Sequence, residues 1–303
     1  MKLLVVIVAF NGAKWLRQSL PELLKSNQLD IYIRDNSAEP ETKAYIQSLN
    51  SPQIAFESGP NVGFGQGNNL GFKFGAVHGY QWFFLLNQDA KVDGVKLCQW
   101  VYSIRQKTTP TIHCPIQLNW DNDRANFNFE KRYAPGWSKH KNPFPSEFVN
   151  AAAWLIHIDT LKQVGGFNPI FHMYGEDRDW VKRLRKQGGS VLVHPSIQVR
   201  HFSSAQAKSK DKLWVAWTKT YSEEIHHFFE VSHSSNPGSG YIRRAIRRAF
   251  KREYLALNLR LIQPITEIKV LKTLLKQKER LRVLKKQSDQ SEFRFILEHD
   301  DFL

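Results

Sequence analysis

The sequence predicts an α/β fold: a Rossmann-like mixed sheet flanked by helices, continued by a helical, basic C-terminal extension. Three observations predict it. Residues 2–10 (KLLVVIVAF) form an unbroken apolar, β-branched run, as a strand buried on both faces requires. Strand, helix, strand, helix and strand patterns then alternate within the first sixty residues, the signature of an open doubly wound sheet. Charge is unevenly placed: residues 241–290 carry fifteen Lys and Arg against four acids, while the rest of the chain holds 28 bases and 24 acids.

Taken in order, the apolar opening run stops at Asn11-Gly12, too short to span a bilayer and without a small-residue cleavage site. Trp15, Leu16, Leu20, Leu23 and Leu24 follow at helical spacing, and Leu29–Ile33 gives a second strand ended by Asp35-Asn36-Ser37. A helix near Thr42–Leu49 and a strand at Gln53–Glu57 complete the first pattern. The glycine-rich stretch 61–71 (NVGFGQGNNLG) leads into a helix over Phe72–Val77. Gln81–Leu86 is a strongly apolar strand ending in Asn87-Gln88-Asp89. A helix over Asp93–Arg105 and a strand over Thr111–Gln117 precede residues 119–148, which are aromatic, Pro-containing and without period. Phe148–Ile158 returns to the core, Asp159–Val164 is a short helix ended by Gly165-Gly166, and Ser190–Val193 and Ile197–Val199 are short strands. Two cysteines, Cys98 and Cys114, without metal-ligand spacing fit a reducing compartment and no disulfide framework.

Candidate site residues collect where strands end, the place where open α/β sheets bind ligands. Asn11 and Asp35 follow the first two strands. In the glycine-rich stretch, backbone amides can approach an anion closely. Asp89, with an amide two residues earlier at Asn87, can present oxygens to Mg2+ or Mn2+; a turn favoured by Asn and Asp explains the same residues equally well. Phe171–Arg185 (FHMYGEDRDWVKRLR) places Glu176 and Asp177 at the start of a helix, where carboxylates offset the macrodipole. That position serves a helix cap or a catalytic base.

Together these elements resemble glycosyltransferase family 2, the inverting enzymes of GT-A fold, and within it the rhamnosyltransferase-like bacterial members that build cell-surface polysaccharide. The matching residues are VAFNG (8–12), RDNSA (34–38), NVGFGQGNNLGF (61–72), LLNQDA (85–90), VGGFNPIFHMYGEDRDWVKRLRKQGG (164–189) and VRHFSS (199–204). The resemblance covers about residues 1–205. It implies a catalytic domain there, with a nucleotide-binding half to about residue 110 and an acceptor-binding half over 111–205, and leaves 206–303 as the extension. It implies that Phe10, Asn11, Asp35, Asn61, Gly63, Gly67, Asn68, Asn87 and Arg183 bind the nucleotide sugar, with Asp35 pairing a uracil or thymine N3–H and Arg183 reaching the diphosphate. Asp89 and His201 would hold the divalent cation. Asn87 stands where the fullest form of the metal motif has an Asp, so fewer charges hold the ion. Asp177 would be the base and Glu176 the second candidate, Glu176 capping the helix. Gly175 would leave room for the acceptor, walled by Phe171, Met173 and Tyr174.

The implied donor is a UDP- or dTDP-sugar and the acceptor a saccharide or lipid-linked saccharide, in lipopolysaccharide or related synthesis. In Tyr241–Phe250 (YIRRAIRRAF), Ile242, Ala245, Ile246, Ala249 and Phe250 share one helical face and four arginines the other. Leu271, Leu274, Leu275, Leu281 and Leu284 repeat the pattern. Such helices suit an anionic membrane surface, here the inner face of the cytoplasmic membrane; packing on the catalytic domain with a solvated outer face explains the same pattern. The competing readings are a nucleic-acid-binding protein, which leaves the strand-end residues unexplained, and an inactive assembly subunit, for which Asn87 is the argument.

Overall fold

A computed structural model describes residues 2–104, 109–202, 212–231 and 262–289. Nine strands form one sheet. β1 (Leu3–Ala9), β2 (Leu29–Asp35), β3 (Ile54–Ser58) and β4 (Trp82–Leu86) are parallel, ordered β3-β2-β1-β4. β8 (Ala153–His157) adds antiparallel to β4, and β6 (Thr111–Leu118) antiparallel to β8. β9 (Ser190–His201) runs parallel to β6 and carries β5 (Ala90–Lys91) and β7 (Phe144–Ser146) antiparallel on it. The sheet is therefore mixed, as expected, with its reversal at β8.

The two short strands expected at 190–199 are one strand with an interruption. Its register against β6 jumps from Pro115↔His194 to Ile116↔Gln198, so Pro195, Ser196 and Ile197 bulge out. Proline cannot donate to the ladder, which explains both the bulge and the broken sequence pattern.

Helices cover both faces. On one lie α1 (Ala13–Leu23), α2 (Pro40–Leu49) and α4 (Gly94–Ser103), which bury Leu16, Leu20, Ile46 and Leu97 against Val5, Ile7 and Phe84. On the other lie α3 (Phe64–Val77), α5 (Phe127–Tyr133), α6 (Ile158–Val164) and α7 (Glu176–Lys186), which bury Phe72, Phe129, Leu161 and Trp180 against Val6, Phe83 and Trp154. The stretch 119–148, expected to be irregular, contains α5, a 3-10 turn at Trp137–Lys139 and β7. Asn126 supplies the start of α5, its side chain accepting the amides of Asn128 and Phe129.

Among the described residues three more helices follow: α8 (Lys212–Val231), α9 (Ile262–Lys276) and α10 (Lys278–Asp289). Tyr221, Ile225 and Phe228 of α8 bury with Val270, Leu274, Leu281 and Leu284 of α9 and α10 against Ile170 and Phe171. The leucines expected to face lipid thus divide: Leu274, Leu281 and Leu284 are core, and Leu275 is exposed. The arginine-rich segment Tyr241–Phe250 lies outside the described residues. No helix among those described is long and apolar enough to cross a membrane.

Candidate active site

The carboxyl ends of β1, β2 and β4 form one rim of the site. Phe10 is half exposed, and its backbone is held by Gln88, whose side chain accepts the Phe10 amide (2.9 Å) and donates to its carbonyl (3.2 Å). Asn11 follows with φ of 49° and donates its amide to Ser37 Oγ. Asp35 is fully buried, with relative exposure of 0%. Its Oδ1 accepts the amide (2.9 Å) and hydroxyl (2.6 Å) of Ser37, and its Oδ2 the hydroxyl of Ser58 (3.2 Å). The expected contact with a pyrimidine is therefore not preformed: here Asp35 shapes the loop, and a base reaches it only where one of these serines gives way.

The glycine-rich stretch corrects the sequence reading most. α3 begins at Phe64, so Gly67 and Asn68 are inside a helix rather than in a phosphate loop. A Cβ on Gly67 would lie 2.8 Å from Val8, on Gly71 2.4 Å from Val6 and on Gly75 2.3 Å from Phe83. Spaced at four residues, these glycines let α3 lie directly on β1 and β4. Gly67 is thus a packing residue, and Asn68, also buried, donates to the Phe64 carbonyl. Asn61 and Gly63 stay at the rim: Asn61 Oδ1 accepts the Gly63 amide, and the Gly63 backbone (φ 87°) packs against His172. Asn69, which the sequence reading did not select, brackets Phe167 with its amide (Nδ2 to O 2.8 Å, N to Oδ1 2.7 Å) and so ties α3 to the segment before α7.

Asp89 and His201 do come together. β5 pairs Ala90 with His201, and the Phe202 amide donates to the Asp89 carbonyl. Asp89 Oδ1 lies 3.5 Å from His201 Nε2, while His201 Nδ1 meets Gln117 Oε1 at 3.2 Å. With its Nδ1 proton given to Gln117, the ring turns the Nε2 lone pair toward Asp89, the arrangement a metal-binding histidine uses. Asn87 Nδ2 lies 3.4 Å from the same Nε2, and Asn87 Oδ1 is buried without a partner. An orphaned amide oxygen and a carboxylate in the β4–β5 turn, with an imidazole at the end of β9, fit a divalent cation that takes further ligands from phosphate. Among the described residues no group of three or more His, Cys, Asp or Glu is placed to hold a metal ion, so the protein's share of such a site is small.

From Asn87 a cleft of about 540 Å³ runs to the start of α7 and exposes Glu176 and Asp177. Tyr174 (φ 65°) and Gly175 (φ 98°) both take the left-handed region, which turns the chain sharply into the helix. Neither carboxylate caps α7; Gly175 occupies the cap position with no side-chain bond. Glu176 is 6% exposed, its Oε2 has no partner, and burial with Asp177 and Asp179 nearby pushes its pKa up to about 8. Asp177 is partly exposed on the cleft wall and accepts the Arg178 amide (2.8 Å). Its pKa is also raised by close enclosure, against the lowering effect of the Arg178 amide and guanidinium. The capping role given to Glu176 is thus not what the geometry holds: Asp177 accepts the Arg178 amide, and Glu176 Oε2 is left without a partner.

Two further expectations change. Arg183 is buried: it pairs with Asp179 (2.9 Å) and donates to the carbonyls of Val164 (2.6 Å) and Gly166 (2.7 Å). It braces the α6–α7 connection and is not placed to meet a diphosphate. The room at Gly175 is filled by α8, since a Cβ there would lie 1.8 Å from Ser222 Oγ. Met173 and Tyr174 do line the cleft, but Phe171 is buried beneath it, stacked on His226 (4.9 Å). His226 also meets the Gly175 carbonyl (3.1 Å), and Lys219, Ser222 and Glu223 complete that wall. These α8 residues went unnoticed in the sequence because they lie past residue 205 and carry no motif.

No family profile and no curated protein matches the sequence. Solved structures do match the fold. The mannosyltransferase PcManGT from Pyrobaculum calidifontis, solved with GDP-Man and Mn2+, matches at TM-score 0.54 and 11% identity over 90% of this chain and 75% of that one. GalNAc-T7, solved with UDP, GalNAc and Mn2+, matches at TM-score 0.54 and 16% identity over 82% of this chain, which spans 54% of that protein. S. aureus TarS 1–349 matches at TM-score 0.57 and 12% identity over 100% of this chain and 92% of that one. At such identities the likeness is one of architecture, and the architecture is that of the GT-A glycosyltransferases.

Proposed function

We propose that the protein is an inverting glycosyltransferase that moves a sugar from a nucleotide sugar to a saccharide hydroxyl. One observation carries this reading: a single cleft joins Asn87, beside Asp89 and His201, to the buried carboxylates at the start of α7. The donor's nucleotide lies along the rim of Phe10, Asn11, Asp35, Asn61 and Gly63, with uracil or thymine as the base. Asp89, His201 and Asn87 would hold Mg2+ or Mn2+, which would supply positive charge to offset that on the leaving diphosphate. Asp177 accepts the proton of the attacking hydroxyl. Glu176, with its pKa near 8, stays protonated at neutral pH and leaves Asp177 as the ionised member of the pair. The hydroxyl oxygen then attacks the anomeric carbon from the face opposite the diphosphate, so the configuration inverts.

The sequence resemblance supports a rhamnose-type donor and a product in bacterial cell-surface polysaccharide or lipopolysaccharide. α9 and α10 support work at the cytoplasmic face of the membrane on a lipid-linked acceptor: the exposed bases Lys269, Lys272, Lys276, Arg282 and Lys286 share these helices with the exposed Ile268, Leu275 and Val283. Apolar residues on that basic surface favour lipid over nucleic acid.

The test is thermal stabilisation by UDP and dTDP with Mn2+, followed by mass spectrometry of products from a panel of nucleotide sugars. A shift with one nucleotide is expected. Asp177→Asn should lose transfer by about a hundredfold or more, the usual worth of a general base, while keeping that shift. No nucleotide response, or near-normal transfer by folded Asp177→Asn, overturns the assignment.

A further inference from the structure

Three cations line the acceptor half of the cleft. Arg132 comes from the last turn of α5, Arg178 from the first turn of α7 and Lys219 from α8. All three are exposed, and among the described residues no salt bridge engages any of them. They are not scattered. The charges of Asp177, Arg132 and Arg178 all act on the Tyr133 hydroxyl. The Arg178 guanidinium lies over the Phe148 ring, 5.6 Å from its centre, which limits its freedom beside Asp177.

The facing carboxylates are Asp177, Glu223 and Glu176, and burial pushes the Glu176 pKa up to about 8, so it is mostly protonated at neutral pH. Cations therefore outnumber anions in a cleft that must bring a hydroxyl to Asp177. A neutral sugar needs no such surplus; ring faces such as Tyr133, Phe148 and Tyr174 suffice to hold it. An anionic acceptor does need it, because Asp177 and Glu223 would otherwise repel it in a partly desolvated space. Arginine's fork matches phosphate and carboxylate oxygens in pairs.

We propose that Arg132, Arg178 and Lys219 form a subsite for an oxyanion, a phosphate or carboxylate carried by the acceptor close to the hydroxyl that receives the sugar. The inference rests on the glycosyltransferase reading and names its acceptor class. It also gives α8 a task, since Lys219 closes the subsite from beyond the part of the chain that carries the motifs.

Calorimetric binding of glucose 6-phosphate, glucuronate and glucose to the full chain tests it, with UDP and Mn2+ at saturation so that the donor's phosphate site is filled. Either or both anions should bind at least about tenfold more tightly than glucose, the worth of one charge-assisted contact; which one does so separates phosphate from carboxylate. Arg132→Gln with Lys219→Gln, both at exposed positions, should remove that preference and leave UDP affinity unchanged. Equal binding of all three sugars, no binding of either anion, or an undiminished preference in the double variant overturns the subsite. Failure of UDP to bind overturns the transferase reading instead, and the same titrations without nucleotide then decide the subsite alone.

Discussion

At Glu176 burial and the neighbouring carboxylates act in the same direction, so the folded state holds a proton that the unfolded chain releases. Its pKa rises from 4.5 to about 8 on folding. Between those values the folded state binds more protons than the unfolded one, so the contribution to stability is complete below pH 4.5 and is lost as pH rises through 8. Thermal unfolding from pH 5 to pH 9 should show Tm falling with pH, and Glu176→Gln should flatten that fall and raise Tm at the alkaline end. An unchanged slope in the variant would mean that Glu176 does not hold the proton. Asp177, raised in the same direction, contributes to the slope that remains. For catalysis the consequence is opposite in sign: a base must be ionised, so transfer should rise with pH while stability declines.

At the scale of elements, α3 shows how a glycine pattern is misread. Gly67, Gly71 and Gly75 are ordinary in sequence, and their partners Val6, Val8 and Phe83 lie on strands at either side of them in the chain. Nothing local distinguishes a glycine that admits a phosphate from one that admits a valine. Gly71→Ala would put a methyl 2.4 Å from Val6 Cγ1, and overpacking of this kind costs about 1–3 kcal/mol. Urea unfolding should show the lower midpoint, with UDP affinity of the folded protein retained; a loss of affinity without a loss of stability would restore the phosphate role. The strands were legible because buried parallel strands need unbroken apolar runs, as in Leu3–Ala9 and Trp82–Leu86. Asp89 and His201 were legible only through the order of motifs, since 112 residues separate them. Arg183 was misjudged because a basic residue in a last helical turn reads as solvent-facing, whereas three carbonyl and carboxylate partners bury it. The α8 wall had no signal at all, because its contacts with Phe171 and Gly175 are tertiary.

Over the whole molecule, the apolar packing runs across residue 205. Ile170 and Phe171, just before α7, share a cluster with α8, α9 and α10, so the C-terminal helices help hold the cleft in shape. Their outer surface is free for another task. Ile268, Leu275 and Val283 are exposed among Lys269, Lys272, Lys276 and Arg282. With each base near anionic lipid contributing about 1 kcal/mol, the full chain should float with phosphatidylglycerol vesicles and be released by salt. Ile268→Asp with Leu275→Asp should reduce flotation severalfold without changing Tm. Unaltered flotation would assign lipid binding, if any, to another surface.

The pairing of Ala90 with His201 also bears on the order in which the protein is made. The parallel strands β1 to β4 end at Leu86, but the rim at Gly63 is finished only when His172 packs on it and Phe167 binds Asn69. Asp89 then waits for His201, and the cleft waits further for Lys219 and His226. On the transferase reading, a partly synthesised chain therefore has neither its full cation site nor its acceptor wall. On that reading, a donor sugar would be safe from an unfinished chain, because the parts that would consume it are the last to arrive.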